Sequence, residues 1–100
     1  QLVDLFIDTA PATLAQAKGA FLEGNHELLV RTAHRLKSSA STMGLRSLAD
    51  VAAALEAAAV ERQDARVDVL LAELTHWLPD VMAGLQVLWA DVQRTYAVSN

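Results

Sequence analysis

Apolar residues recur along this chain at steps of three and four, the period of helices that bury one face. Leu29, Ala33, Leu36, Ala40 and Met43 form the cleanest stripe and predict a helix over His26 to Thr42, ended by Gly44. Ahead of it, Leu2, Leu5, Phe6, Leu14, Ala17 and Phe21 mark an apolar face over Leu2 to Leu22. Pro11 interrupts that segment, which is either one kinked helix or two, the second capped by Asp8 or Thr9. Glu23-Gly24-Asn25 makes the next turn, with Gly24 suited to a left-handed conformation and Asn25 to capping the helix that follows. Leu48, Val51, Leu55 and Ala58 predict a third helix over Arg46 to Arg62, followed by a Gln63-Asp64 turn with Asp64 as cap. The last stripe is Val67, Leu70, Leu74, Leu78, Val81, Leu85, Leu88 and Val92, on a helix from Ala65 to Tyr96. It keeps phase through Pro79, which predicts a kink and not a stop. A helix of about 30 residues is longer than so small a globule needs, so the part past Leu88 is expected to project or fray.

Short turns between helices imply antiparallel neighbours. The expected fold is all-α, an antiparallel up-down four-helix bundle with a kink in its first helix as one option. A three-helix domain with a docked N-terminal arm is the alternative. With 100 residues, the chain reads as one domain over 1–100, its core at about 2–88.

Composition narrows the function classes. At 53% hydrophobic, much of it alanine, the chain can build a core of closely packed helices. The lack of cysteine excludes a disulfide scaffold and any thiolate metal site. A net charge of −4 without a basic stripe argues against nucleic acid as a partner. No apolar run is long enough to span a membrane, so no direct membrane contact is expected. There is no Walker-type Gly-x-x-x-x-Gly-Lys and no glycine-rich loop, so no nucleotide site and no cofactor of its own are expected. The first residue is Gln1 and not Met, which reads as a piece of a longer protein.

Three histidines are the side chains that titrate near neutrality. His26 at a helix start reads as a solvated first-turn residue, and His76 as a boundary residue beside Trp77. None has metal-ligand spacing, so no metal site is expected. His34 differs in its surroundings. It points roughly 140° away from the buried stripe of its helix. Val30, Arg31, Lys37, Ser38 and Ser41 share its face, giving an exposed imidazole among cations and small hydroxyl residues. That setting suits a phosphoryl group, which carries about −1.5 to −2 charge near neutrality. A solvated helix face with Ser tolerated on it is the bland alternative.

The stretch Ala33-His34-Arg35-Leu36-Lys37-Ser38-Ser39-Ala40-Ser41-Thr42-Met43-Gly44-Leu45 resembles the signature of histidine phosphotransfer (HPt) domains, Ala-His-x-Leu-Lys-Gly-Ser-small and then Gly. Leu5-Phe6-Ile7-Asp8-Thr9-Ala10-Pro11, Glu23-Gly24-Asn25 and Leu48 through Glu56 extend the likeness over about Leu5 to Leu85. Ser38 departs from it, standing where the family usually has Gly. The resemblance implies a phosphorelay carrier of two-component signalling, as in bacterial hybrid sensor kinases. His34 accepts a phosphoryl group from a receiver phospho-aspartate and passes it to another receiver. Glu56 matches the residue that orients the histidine through Nδ1–H, leaving Nε2 to attack. Lys37 offsets charge on the phosphoryl oxygens, Arg31 acts at longer range, and Val30, Arg31, Ser38 and Ser41 belong to the docking surface. The expected partners are receiver domains, which bring the Mg²⁺. The domain itself has no ATP-dependent kinase activity, is monomeric and is cytoplasmic, or tethered to the inner membrane through a parent sensor kinase. Two other readings remain: a non-catalytic interaction module using the same face, and a kinase dimerisation domain. Against the second, Arg35 and not an acidic residue follows His34.

Overall fold

Three tight turns fold the chain back on itself, and all three end a helix in the same way. The computed structural model describes the backbone of residues 2–99 and the side chains of residues 3–95. It contains α1 (Leu2–Glu23), α2 (His26–Thr42), α3 (Arg46–Val60) and α4 (Asp64–Ser99). At each turn a backbone N–H bonds back to the carbonyl five residues earlier: Asn25 to Ala20 at 2.8 Å, Leu45 to Ala40 at 2.9 Å, Gln63 to Ala58 at 2.9 Å. This closure needs a left-handed residue just before the donor. Gly24 (φ 72°) and Gly44 (φ 74°) supply it without steric cost, whereas Arg62 (φ 57°) adopts it with a side chain attached. Asn25 caps α2 by accepting from the Leu28 N–H at 3.2 Å.

The helices form an antiparallel up-down bundle. Each packs on its neighbours in the order α1–α2–α3–α4–α1, and the diagonal pairs do not meet among the described residues. The core is leucine interleaved with alanine. Leu29, Leu36, Leu48, Leu55, Val67, Leu74 and Leu78 are buried together with Ala33, Ala40, Ala52 and Ala58. Small side chains between large ones let the helix backbones approach closely. The buried hydroxyl of Thr32 donates to its own helix, to Leu28 O at 2.9 Å and Leu29 O at 3.1 Å. No buried side-chain polar atom among the described residues lacks a partner.

Several expectations need correction. α1 is a single helix that runs through Pro11, so neither Asp8 nor Thr9 caps a second one. Pro11 sits on the exposed side, where water can satisfy the Ile7 carbonyl that its missing N–H leaves free. Leu5 is 58% exposed and not part of the core, because the buried face centres on Phe6, Ala10, Leu14, Ala17 and Ala20, about 100° round from it. The Leu2 side chain, placed on the same face, lies outside the described residues. α3 stops at Val60, and Asp64 is the first residue of α4, not its cap; its charge still suits that helix's positive N-terminal end. α4 is 36 residues long and runs unbroken through Pro79. At about 1.5 Å per residue it accounts for the 53 Å long axis of the molecule. It outlasts the shorter helices beside it, which leaves Leu88 and Val92 exposed although they continue the apolar stripe. No helix among the described residues is long and apolar enough to cross a membrane.

Leu36 is 2% exposed at the centre of the bundle. Leu36→Ala is expected to lower unfolding free energy by about 2–5 kcal/mol through the cavity it leaves, as measured by urea denaturation.

Candidate functional site

The bundle's packing brings three polar side chains together on the seam between α2 and α3. His34 and Lys37 lie one turn apart on α2, and their side chains are 58% and 34% exposed. Their immediate neighbours Ala33 and Leu36 are buried, which aims the two polar residues outward. Glu56 follows the fully buried Leu55 on α3 and comes up beside them. Its carboxylate is shared. Oε2 lies 2.8 Å from His34 Nδ1, and Oε1 accepts from Lys37 Nζ at 2.8 Å.

This sharing sets the protonation pattern. The hydrogen bond from Lys37 holds the Glu56 carboxyl below its ordinary value; partial burial works against it, and the bond with His34 adds to the lowering. An ionised carboxylate only accepts, so the neutral ring carries its proton on Nδ1. Nε2 is then left with its lone pair, and it has no protein partner among the described residues. A ring in this state can act as a nucleophile toward an electrophile arriving from solvent.

The remaining residues singled out in the sequence surround this centre unequally. Val30 is half-buried, and Ser38 and Ser41 are exposed on the same side of α2. Arg31 is exposed and lies 3.7 Å from Glu27, an acidic residue on the preceding turn that the sequence reading passed over. Arg35 reaches across to α1, where its guanidinium donates to Gln16 Oε1 at 3.4 Å. Leu5 and Thr9 of α1 form a shallow groove with Ser38, Ser39, Thr42 and Met43. The signal for the exposed Leu5 is a helical projection from Phe6 and Ala10, which puts it outside the core. The imidazole rings of His26 and His76 have no hydrogen bond or ion pair among the described residues, and no cluster of three metal-ligating side chains occurs there.

The structure is a small antiparallel helical bundle that presents a solvent-facing imidazole, held at one nitrogen by a neighbouring helix. The family model for the Hpt domain matches residues 1–92, and the chain belongs to that family. Hpt domains are phosphotransfer carriers in two-component signalling and work with receiver domains. No curated protein and no solved structure matches the chain.

The lowered Glu56 carboxyl makes a pH prediction with a definite sign. A group whose folded value is depressed stabilises the fold above its ordinary value, 4.5 for Glu, and loses that contribution as pH falls through the depressed value. The stability difference between the wild type and Glu56→Gln, followed by melts from neutral to acid pH, is therefore expected to shrink below the ordinary carboxylate range. A difference that grew on acidification would contradict the assignment.

Proposed function

We propose that this domain is a phosphorelay carrier in which His34 accepts a phosphoryl group from a receiver-domain phospho-aspartate and donates it to a second receiver. The observation that carries this reading is the 2.8 Å contact between Nδ1 and Glu56 on a ring whose side chain is 58% exposed. In the accepting step the Nε2 lone pair forms the N–P bond. The P–O bond of the acyl phosphate breaks, and the aspartate carboxylate leaves with its electron pair. The Nδ1 proton stays in place, and the positive charge the ring acquires faces Glu56. Onward transfer reverses these changes on the next aspartate.

Phosphoryl transfer depends mainly on alignment and charge. Glu56 supplies alignment by fixing the ring and its tautomer. Lys37 supplies positive charge beside the ring while keeping Glu56 ionised. Arg31, Val30, Ser38 and Ser41 border the ring where a receiver would dock, and the small serines permit close approach. The receiver brings the aspartate and the Mg²⁺, and the domain needs neither nucleotide nor metal of its own.

Incubation with a phosphorylated receiver is expected to label the wild type, and His34→Gln is expected to abolish labelling with the helical fold intact by circular dichroism. A wild type that binds the receiver without any phosphoprotein forming, with binding that survives His34→Ala, would replace this reading with that of an interaction module. Glu56→Ala is expected to slow transfer at least about tenfold, the rate equivalent of losing a hydrogen bond of roughly 1.5 kcal/mol to a charged group, with a modestly lowered melting temperature at neutral pH and the helical fold intact. An unchanged rate in single-turnover transfer would remove Glu56 from the orienting role.

A further inference from the structure

Glu56 fixes which way the His34 ring faces, and the ring in turn selects the side of α2 on which a phosphoryl group rides. Successive helical residues turn by about 100°. Viewed down α2, Lys37 therefore lies about 60° to one side of His34 and Ser38 about 40° to the other. The Lys37 side faces α3, since Lys37 Nζ and His34 Nδ1 both meet Glu56 there. The Ser38 side faces α1, since Arg35, further round in the same direction, reaches Gln16 of α1. The two nitrogens of an imidazole point away from each other. A ring with Nδ1 held toward α3 thus turns Nε2 toward α1 and Ser38.

The Ser38 hydroxyl is well placed to receive what Nε2 carries. Side chains of a helix lean toward its N-terminus, so this hydroxyl covers the turn that holds His34. Ser38 is exposed, and its hydroxyl has no partner among the described residues. The nearby cations are otherwise engaged, Arg35 with Gln16 of α1. Lys37 Nζ is tied to Glu56 at 2.8 Å, and Arg31 leans away from His34 toward Glu27 at 3.7 Å.

We propose that Ser38 is a phosphoryl-contacting residue, its hydroxyl donating a hydrogen bond to an oxygen of the phosphoryl group on Nε2 of His34. This rests on the phosphorelay reading and adds a named contact to it. Glycine, which the HPt signature has at this position, could not make the bond. As the N–P bond loosens toward a metaphosphate-like transition state, the phosphoryl oxygens give up negative charge. A donor to those oxygens therefore favours the intact phosphohistidine and slows its loss to water.

Phosphoramidate as donor tests this on the whole chain without a receiver. His34 Nε2 forms its bond to phosphorus as the P–N bond of phosphoramidate breaks and ammonia leaves with that electron pair. After the donor is removed, ³¹P NMR follows the phosphohistidine. Ser38→Ala and Ser38→Gly are both expected to shorten its lifetime about threefold to tenfold, the weight of one hydrogen bond. Ser38→Thr, which keeps a hydroxyl, is expected to retain the wild-type lifetime. A wild-type lifetime in Ser38→Ala overturns the contact, whether or not Ser38→Gly differs, and leaves the phosphorelay reading standing. Failure of both phosphoramidate and a phosphorylated receiver to label His34 overturns both.

Discussion

The Glu56 carboxylate is the joint on which this surface turns. Its two oxygens each hold one donor from the facing helix, His34 Nδ1 and Lys37 Nζ, both at 2.8 Å. Such bonds weaken steeply with stretching or misalignment, so they exist only if α2 and α3 keep one register. A slip of one helical turn, about 5.4 Å, would break both. The register is held underneath by buried residues that alternate with the polar ones: Ala33 and Leu36 beside His34 and Lys37, Ala52 and Leu55 beside Glu56. Core packing and ring orientation are thus one constraint seen from two sides of the same helices.

Two of the three cations at this surface are paired with carboxylates. The chain as a whole is acidic, at −4, yet α2 carries Arg31, Arg35 and Lys37 around the histidine. Lys37 is offset by Glu56 and Arg31 by Glu27, and Arg35 is held by a neutral amide. The paired cations cost little in repulsion in the free domain. Under the proposed phosphorelay role, an arriving dianion would find them close by but already engaged, which would put weight on neutral donors such as hydroxyl groups. The same proposed role would make Glu56 more than a tautomer lock, since it would lie against the positive charge of a phosphorylated ring.

The fold was legible wherever a local rule sufficed. The period-3.6 stripe on α2 and the Gly24 and Gly44 stops gave that helix its observed bounds, because burial of one face and left-handed closure are both local in sequence. Arg62 was not legible as the third left-handed residue, since nothing in its side chain favours φ > 0. Leu5, Leu88 and Val92 fit an apolar stripe but are exposed. Periodicity identifies a face and says nothing about whether another helix is there to cover it. At the site, the outward direction of His34 followed from its helix alone. Glu56 did not, because it is 22 residues away; only the likeness to the HPt signature pointed to it. The pairing of Arg31 with Glu27 is legible in the sequence as an i, i+4 pair.

His34, Lys37 and Glu56 all belong to one helical hairpin, closed by the Gly44 turn. Bringing them together requires only a short loop closure, whose entropic cost is modest. In a bundle rich in such near-neighbour contacts, low contact order favours rapid folding. Opening of α1 or fraying at the far end of α4 would leave the hairpin's internal bonds intact, so local breathing elsewhere in the molecule need not disturb the contact between His34 and Glu56.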